Sequence, residues 1–370
     1  MRRREARPHI CLAVKPLGTI EHSVIIAEQA EQAGVDVCWI EPAEARGPSE
    51  VRPYLDAHGV RADVSQMSSP GALTRHLRRS GSLGVFVQSP YPEHFPDWLW
   101  EVTTRLGRLC YAGYGILIAV WDAGLFGLDT FRRASWLIAD SPYSRGRYVE
   151  HGVDADRIVV GGNPLMWTLR RRASMARPPE RPTILWAPHW SQSWFEYPRG
   201  YSRWAETTPA LRSFAAEHPE VDVVIRPHPL LLEEIDSSTT DTEAASAFRA
   251  LIDLPNVRLS DRSMLDDILS STALLTDGIA IIAYYAATGR PLAVIRDAAS
   301  PPFNELGDAI CAASDVVGDA AEIEAWLRRA TNGLPVSAER AALSRSLHPT
   351  HDASPIAIWK DHVLTPAGRR

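Results

Sequence analysis

Thr183-Ile184-Leu185-Trp186-Ala187-Pro188-His189-Trp190 is an apolar run closed by a proline and followed by two ring side chains. A short apolar run bounded by a turn residue reads as a strand buried on both faces. The pattern then recurs. Val221 to Ile225 runs into Arg226-Pro227-His228-Pro229, and Ala273 to Thr276 runs into Asp277-Gly278-Ile279-Ala280. Val257 to Leu259 and Pro291 to Ile295 complete a set of five strands. Helical stretches lie between them at Ala210 to Glu217, Ala244 to Ile252, Met264 to Ser270 and Ile279 to Ala287, with another at Ala320 to Ala330. Strands that alternate with helices form a parallel sheet covered on both faces, a Rossmann-like α/β domain. Asp236 to Ala244, rich in Ser, Thr and Asp, reads as a surface loop.

The upstream half begins in the same way. Ile10 to Val14 is a strand, Lys15 to Thr19 a loop, Ile20 to Ala33 a helix stopped by Gly34, and Val35 to Ile40 the next strand. Further strands are read at Leu83 to Val87, Leu109 to Tyr111, Trp136 to Ala139 and Ile158 to Val160, with a helix from Ser144 to Glu150. Arg170 to Pro182, rich in Arg and Pro, reads as the linker. The expected organisation is an N-terminal Rossmann-like acceptor domain at 1–168, a linker at 169–182, a nucleotide-donor domain at 183–345, and a tail at 346–370. A helix from Pro355 to Val363 is expected to pack that tail back on the first domain.

Composition narrows the function. The chain has 370 residues, enough for two ordinary domains, and a net charge of −6. That charge argues against a general nucleic-acid binder. The apolar stretch Ile10 to Val14 stops at Lys15-Pro16, and the longest run, Ile116 to Trp121, ends at Asp122. Neither approaches the ~20 residues of a membrane span, so a soluble, cytoplasmic protein is expected. Cys11, Cys38, Cys110 and Cys311 form no Cys-x-x-Cys pair and read as small buried hydrophobes. Neither disulfides nor a metal site is expected from their spacing.

In open α/β sheets ligands bind beyond the carboxyl ends of the strands. Three such ends in the second half carry the chemistry. His189 and Trp190 follow the first strand; His189 reads as a phosphate donor or as part of a packed loop. Downstream aromatics Trp194, Phe195, Tyr197, Tyr201 and Trp204 read as loop packing. Arg226 and His228, held between two prolines, offer charge-assisted donors to a phosphoryl group. Asp277 is positioned to cap the next helix, leaving the N–H groups of Gly278, Ile279 and Ala280 as an anion site. In the first half, Gly18-Thr19-Ile20-Glu21-His22, Ser89-Pro90-Tyr91-Pro92-Glu93-His94 and Tyr111-Ala112-Gly113-Tyr114-Gly115 each follow a strand and are candidates to touch substrate.

The order of these motifs resembles the CDP-glycerol glycerophosphotransferases, the teichoic acid polymerase-like family. Ile184 to Pro188, Arg226-Pro227-His228-Pro229, Leu274 to Asp277 and Gly289-Arg290-Pro291 carry the resemblance. Ala139 to Ser144, Gly161-Gly162-Asn163-Pro164 and Tyr111 to Gly115 add to it. The resemblance implies a GT-B architecture, two Rossmann-like domains with an interdomain cleft, and a CDP-linked donor held by the second domain. It implies no tightly bound metal or cofactor, a polymer or lipid-linked acceptor, and work at the inner membrane face, where a peripheral membrane contact would fit. Two positions depart from the family. Its Asp-Tyr-Ser-Ser run reads Asp277-Gly278-Ile279-Ala280 here, and Tyr114-Gly115 stands where the polymerases place a His-Gly pair.

The expected reaction is therefore transfer of an alditol phosphate from a CDP donor to an acceptor hydroxyl, with release of CMP. Arg226, Asp277, Gly278, Ile279, Ala280 and Trp190 would bind the donor. His228, His189, Tyr114 and His22 would form the catalytic set. Two alternatives use the same fold: a nucleotide-sugar glycosyltransferase or UDP-sugar 2-epimerase, and an inactive binding protein.

Overall fold

In a computed structural model, described for residues 7–14, 19–43, 49, 51–119, 122–177, 179–193, 197, 199–236, 242–348 and 351–365, the chain divides into two compact units. Unit 1 comprises Met1–Ile116, Ala123–Thr168 and Pro349–Arg370; unit 2 comprises Leu117–Asp122 and Leu169–His348. The division falls within the helix Pro164–Ala173, so the stretch expected to be a linker from residue 169 starts as helix. Leu165, Met166 and Leu169 are buried there, and this apolar side of the helix outweighs the Arg-rich run that suggested a linker.

Unit 1 holds seven parallel strands: β1 (His9–Ala13), β2 (Asp36–Pro42), β3 (Val64–Met67), β4 (Gly84–Val87), β5 (Leu109–Ala112), β6 (Trp136–Ala139) and β7 (Ile158–Val160), in the order β3-β2-β1-β4-β5-β6-β7. Alternation along β1 sends Ile10 and Leu12 into one core with Ile26, Phe86 and Trp359. The helix Pro355–Leu364, capped by Ser354, supplies Trp359, whose ring meets Phe86 edge-on at 4.8 Å. Lys360 Nζ donates to the Ala33 carbonyl at 2.9 Å, fixing this helix beside Ile20–Gln32.

Unit 2 holds six parallel strands: β8 (Thr183–Ala187), β9 (Asp222–Ile225), β10 (Val257–Leu259), β11 (Ala273–Thr276), β12 (Leu292–Ile295) and β13 (Asp315–Val317), in the order β10-β9-β8-β11-β12-β13. This is the doubly wound order, with the chain reversing direction across the sheet between β8 and β11. Its core gathers Trp186, Trp204, Phe214, Phe248 and Trp326. The helix expected from Ala210 starts at Trp204 and carries Pro209 inside it. Burial of Trp204, Thr207 and Thr208 offsets the hydrogen bond that the proline removes.

Each unit is thus a parallel α/β sheet with helices between its strands, and each sheet turns over at a single point. Among the described residues, no helix is long and apolar enough to cross a membrane.

Candidate functional site

The reversal of strand order in unit 2 puts the carboxyl ends of β8 and β11 side by side. The Thr276 hydroxyl donates to the Ala187 carbonyl at 2.6 Å, closing the last rung between the two strands. Beyond it, one carboxylate oxygen of Asp277 accepts the His189 N–H at 2.6 Å, and the other accepts the Arg203 N–H at 2.5 Å. Asp277 therefore does not cap the following helix. That helix is Ala280–Ala287, with Ile279 at its N-cap position and no side-chain cap. The Gly278 N–H is also committed, to the Thr276 hydroxyl at 2.8 Å, and does not face a ligand. The amides of Ile279 and Ala280 remain in the first turn, where geometry provides no intrahelical acceptor. Burial pushes the Asp277 carboxyl up to about 7, against the opposing pull of the Arg203 and His189 amides.

Two neighbouring strand ends share one local device. At the end of β8, the Ser191 N–H donates to His189 Nδ1 at 3.2 Å, and the Ser191 hydroxyl lies 2.9 Å from the same atom. At the end of β9, the Leu230 N–H donates to His228 Nδ1 at 3.3 Å. Each follows a proline, and each ring uses Nδ1 as acceptor for the amide two residues ahead. An imidazole that accepts at Nδ1 while neutral carries its proton on Nε2. The His228 N–H donates to the Pro188 carbonyl at 3.1 Å, tying the two turns together. The ring centroids of His189 and His228 are 5.7 Å apart, and Trp190 lies 5.9 Å from the first and 6.0 Å from the second.

Both imidazoles are neutral near pH 7. Burial, reinforced by the neighbouring His228, brings His189 down to about 3, and burial brings His228 down to about 4. The charge-assisted histidine donors read from the sequence are thus ordinary neutral N–H donors in the free protein.

Arg226 is placed differently from its sequence neighbour. Its guanidinium donates to the Arg262 carbonyl at 2.7 Å and to Asp267 at 3.0 Å. Asp267 is buried and also accepts the Ser260 hydroxyl at 2.5 Å. A buried carboxylate needs such a partner, so Arg226 neutralises Asp267, a duty the sequence reading did not assign to it.

Tyr201, read from the sequence as loop packing, packs against this turn, whereas Ser202 and Arg203 were not singled out there. Tyr201 meets His189 edge-on at 5.8 Å and stacks on Phe303 at 5.7 Å. The Ser202 hydroxyl donates to the His189 carbonyl at 2.7 Å. Arg203, buried, pairs with Asp297 at 2.8 Å and with Glu206. These contacts span up to 102 residues of sequence, from Tyr201 to Phe303, and no local spacing announces them. Trp194 and Phe195 lie outside the described residues.

In unit 1, His22 is buried near the start of Ile20–Gln32 and meets the Tyr114 ring edge-on at 6.0 Å. The adjacent Ser23 hydroxyl donates to Gln88 at 2.8 Å, joining this helix to the end of β4. Ser89 Oγ lies 2.6 Å from His94 Nδ1, which makes the candidate stretch Ser89 to His94 a closed local turn. Gly18 lies outside the described residues.

No family model and no curated protein matches the sequence. Solved structures do match in shape. UDP-GlcNAc 2-epimerase from Neisseria meningitidis, solved with UDP-GlcNAc, shares 14% identity at a TM-score of 0.62, covering 97% of this chain and 100% of that one. A putative UDP-N-acetylglucosamine 2-epimerase from Listeria monocytogenes shares 12% at 0.60, covering 97% of both chains. The wall teichoic acid polymerase TagF shares 13% at 0.59, covering 96% of this chain and 89% of that one. The fold is GT-B-like. At these identities the likeness speaks for the α/β architecture of two Rossmann-like units and for nothing finer.

Proposed function

We propose that unit 2 holds the diphosphate of a nucleotide-activated donor at the ends of β8, β9 and β11, and that the chain transfers an alditol-phosphate group from a CDP-linked donor. The observation that carries this reading is the His189–His228 pair, two rings 5.7 Å apart whose tautomers are set by backbone amides. Two neutral Nε2–H donors beside the first turn of a helix suit an anion. Trp190, against both rings, offers an apolar face for the rest of the donor.

In the reaction, an acceptor hydroxyl oxygen attacks the donor's distal phosphorus. The bond from that phosphorus to the bridging oxygen breaks, CMP leaves, and the hydroxyl proton passes to a base or to solvent. Phosphoryl transfer asks the protein chiefly to position groups and to stabilise charge. His228 and His189 would donate to the diphosphate, and the amides of Ile279 and Ala280 would face it. His22 and Tyr114 would serve a polymer or lipid-linked acceptor. The order of the strand-end motifs, with Arg226 and Asp277 bracing the turns, favours the CDP-linked donor. A UDP-sugar 2-epimerase is the second reading, favoured by the match to full-length epimerase structures. It requires acid–base groups at the sugar, and Asp277 has both oxygens occupied by backbone amides.

The test is a thermal-shift panel of CMP, CDP, UDP, CDP-glycerol and UDP-GlcNAc, followed by an assay for released CMP. A ligand selective for the folded state raises its melting temperature. CDP and CDP-glycerol should stabilise the protein. His228→Ala should cut CMP release by about 10²–10³-fold, the usual effect of removing one preorganised donor. Stabilisation by UDP-GlcNAc alone would move the assignment to the epimerase. Stabilisation by CDP-glycerol with no CMP released to any acceptor would identify a binding protein.

A further inference from the structure

Cys11 and Cys38 sit opposite each other as register partners on β1 and β2. Ile10 and Leu12 belong to the core on one face of the sheet, so Cys11 projects from the other. That face receives the helix Pro70–Ser80, which Ser69 caps and Gly81 ends with a φ of +61°. The helix brings His76 Nε2 to 3.2 Å from Cys38 Sγ and 3.8 Å from Cys11 Sγ. All three atoms lie within 4.8 Å of one another.

We propose that Cys11, Cys38 and His76 form a zinc site that fastens the helix Pro70–Ser80 to the sheet of unit 1. A tetrahedral Zn²⁺ with bonds of about 2.3 Å to sulfur and about 2.0 Å to nitrogen holds such ligand atoms about 3.5–3.8 Å apart. The two observed sulfur–nitrogen separations, 3.2 and 3.8 Å, lie on either side of the ~3.5 Å this geometry gives that pair. Two thiolates and a neutral imidazole are a soft donor set that suits zinc and disfavours magnesium or calcium. These three are the ligand atoms the structure brings together; His9, two residues before Cys11 on the same face of β1 and with a buried Nδ1 that has no hydrogen-bond partner, would have to move closer to supply the fourth. Binding releases the two thiol protons to solvent and leaves the site without net charge. The sequence hid this arrangement because its ligands are separated by 27 and 38 residues and come from two strands and a helix.

The full-length protein, purified reduced and stripped with chelator, is titrated with Zn²⁺ and separately with Co²⁺. The expected result is one metal per chain, with intense sulfur-to-cobalt absorption. Cys38→Ser and His76→Ala should weaken binding by at least the ~10–100-fold that loss of an outer-shell partner costs. Cys110→Ser should bind as the natural chain does. His9→Ala should keep the sulfur-to-cobalt band and lose affinity. The cobalt titration of the unaltered chain needs no variant to fold. Absence of sulfur-to-cobalt absorption in it, or a Cys38→Ser variant that binds as tightly as the natural chain, would overturn the proposal. So would recovery of the protein with Cys11 and Cys38 joined as a disulfide that leaves no metal bound.

Discussion

Two histidines held at about 3 and about 4 by burial give the donor site a built-in proton response. A diphosphate placed against their Nε2–H groups favours the charged forms and raises both values, against the cost of turning Nδ1 from acceptor of the Ser191 and Leu230 amides into a donor, so the complex takes up protons that the free protein lacks. Nucleotide affinity should therefore strengthen as pH falls from about 7 toward 5, over the window between the free and bound values. Calorimetry in two buffers of different ionisation enthalpy reads the uptake directly, and His228→Ala should reduce it. Equal heats in both buffers would rule out this coupling. The same shifts act on folding with a definite sign. The folded-state values lie below the ordinary 6.5, so the stability these groups contribute is present above pH 6.5 and is lost as pH falls toward 4.

At the scale of elements, the strands that build the donor site were the easiest to read. β8 and β11 are continuous apolar runs because both faces of a parallel sheet are covered, and their bounds agree with those read from the sequence. β3 and β13 were not read. They are edge strands of four and three residues, with Ser65, Gln66 and Asp315 in the pattern, and only pairing with β2 and β12 makes them strands. The loop that braces His189 was equally hidden. Its shape depends on Gly200, whose N–H donates to the Gln192 carbonyl at 2.7 Å. A Cβ at Gly200 would stand 2.0 Å from the Ser191 carbonyl oxygen. Gly200→Ala must push this loop off the β8 turn, disturbing the Ser202 and Arg203 contacts that hold His189 and Asp277. A loss of about 1–3 kcal/mol is expected, as for other overpacked sites, together with weakened nucleotide binding. Urea unfolding and the thermal-shift panel measure the two effects, and an unchanged urea midpoint would refute the clash.

At the scale of the whole chain, what the sequence left hidden is long-range. Cys11, Cys38 and His76 meet only because β1 lies beside β2 and the helix Pro70–Ser80 packs against both. Asp277 meets Arg203 across 74 residues because β8 and β11 adjoin at the reversal of the sheet. The periodicity of a helix announces that it has a buried face and does not say against what. Pro355–Leu364 is the clearest instance, since it closes the core of a unit whose first strand begins at His9. Trp359 is fully buried against Phe86, so truncating it would leave a cavity that the close-packed core could fill only in part. Trp359→Ala should destabilise unit 1 by about 3–5 kcal/mol, the cost of truncating a buried aromatic. Amide hydrogen exchange provides the site-resolved readout, because protection in central strands reports the largest opening free energies. Exchange in β1 and β4 should accelerate in the variant. If those strands keep their protection, the helix is an appendage and the core of unit 1 is complete without it.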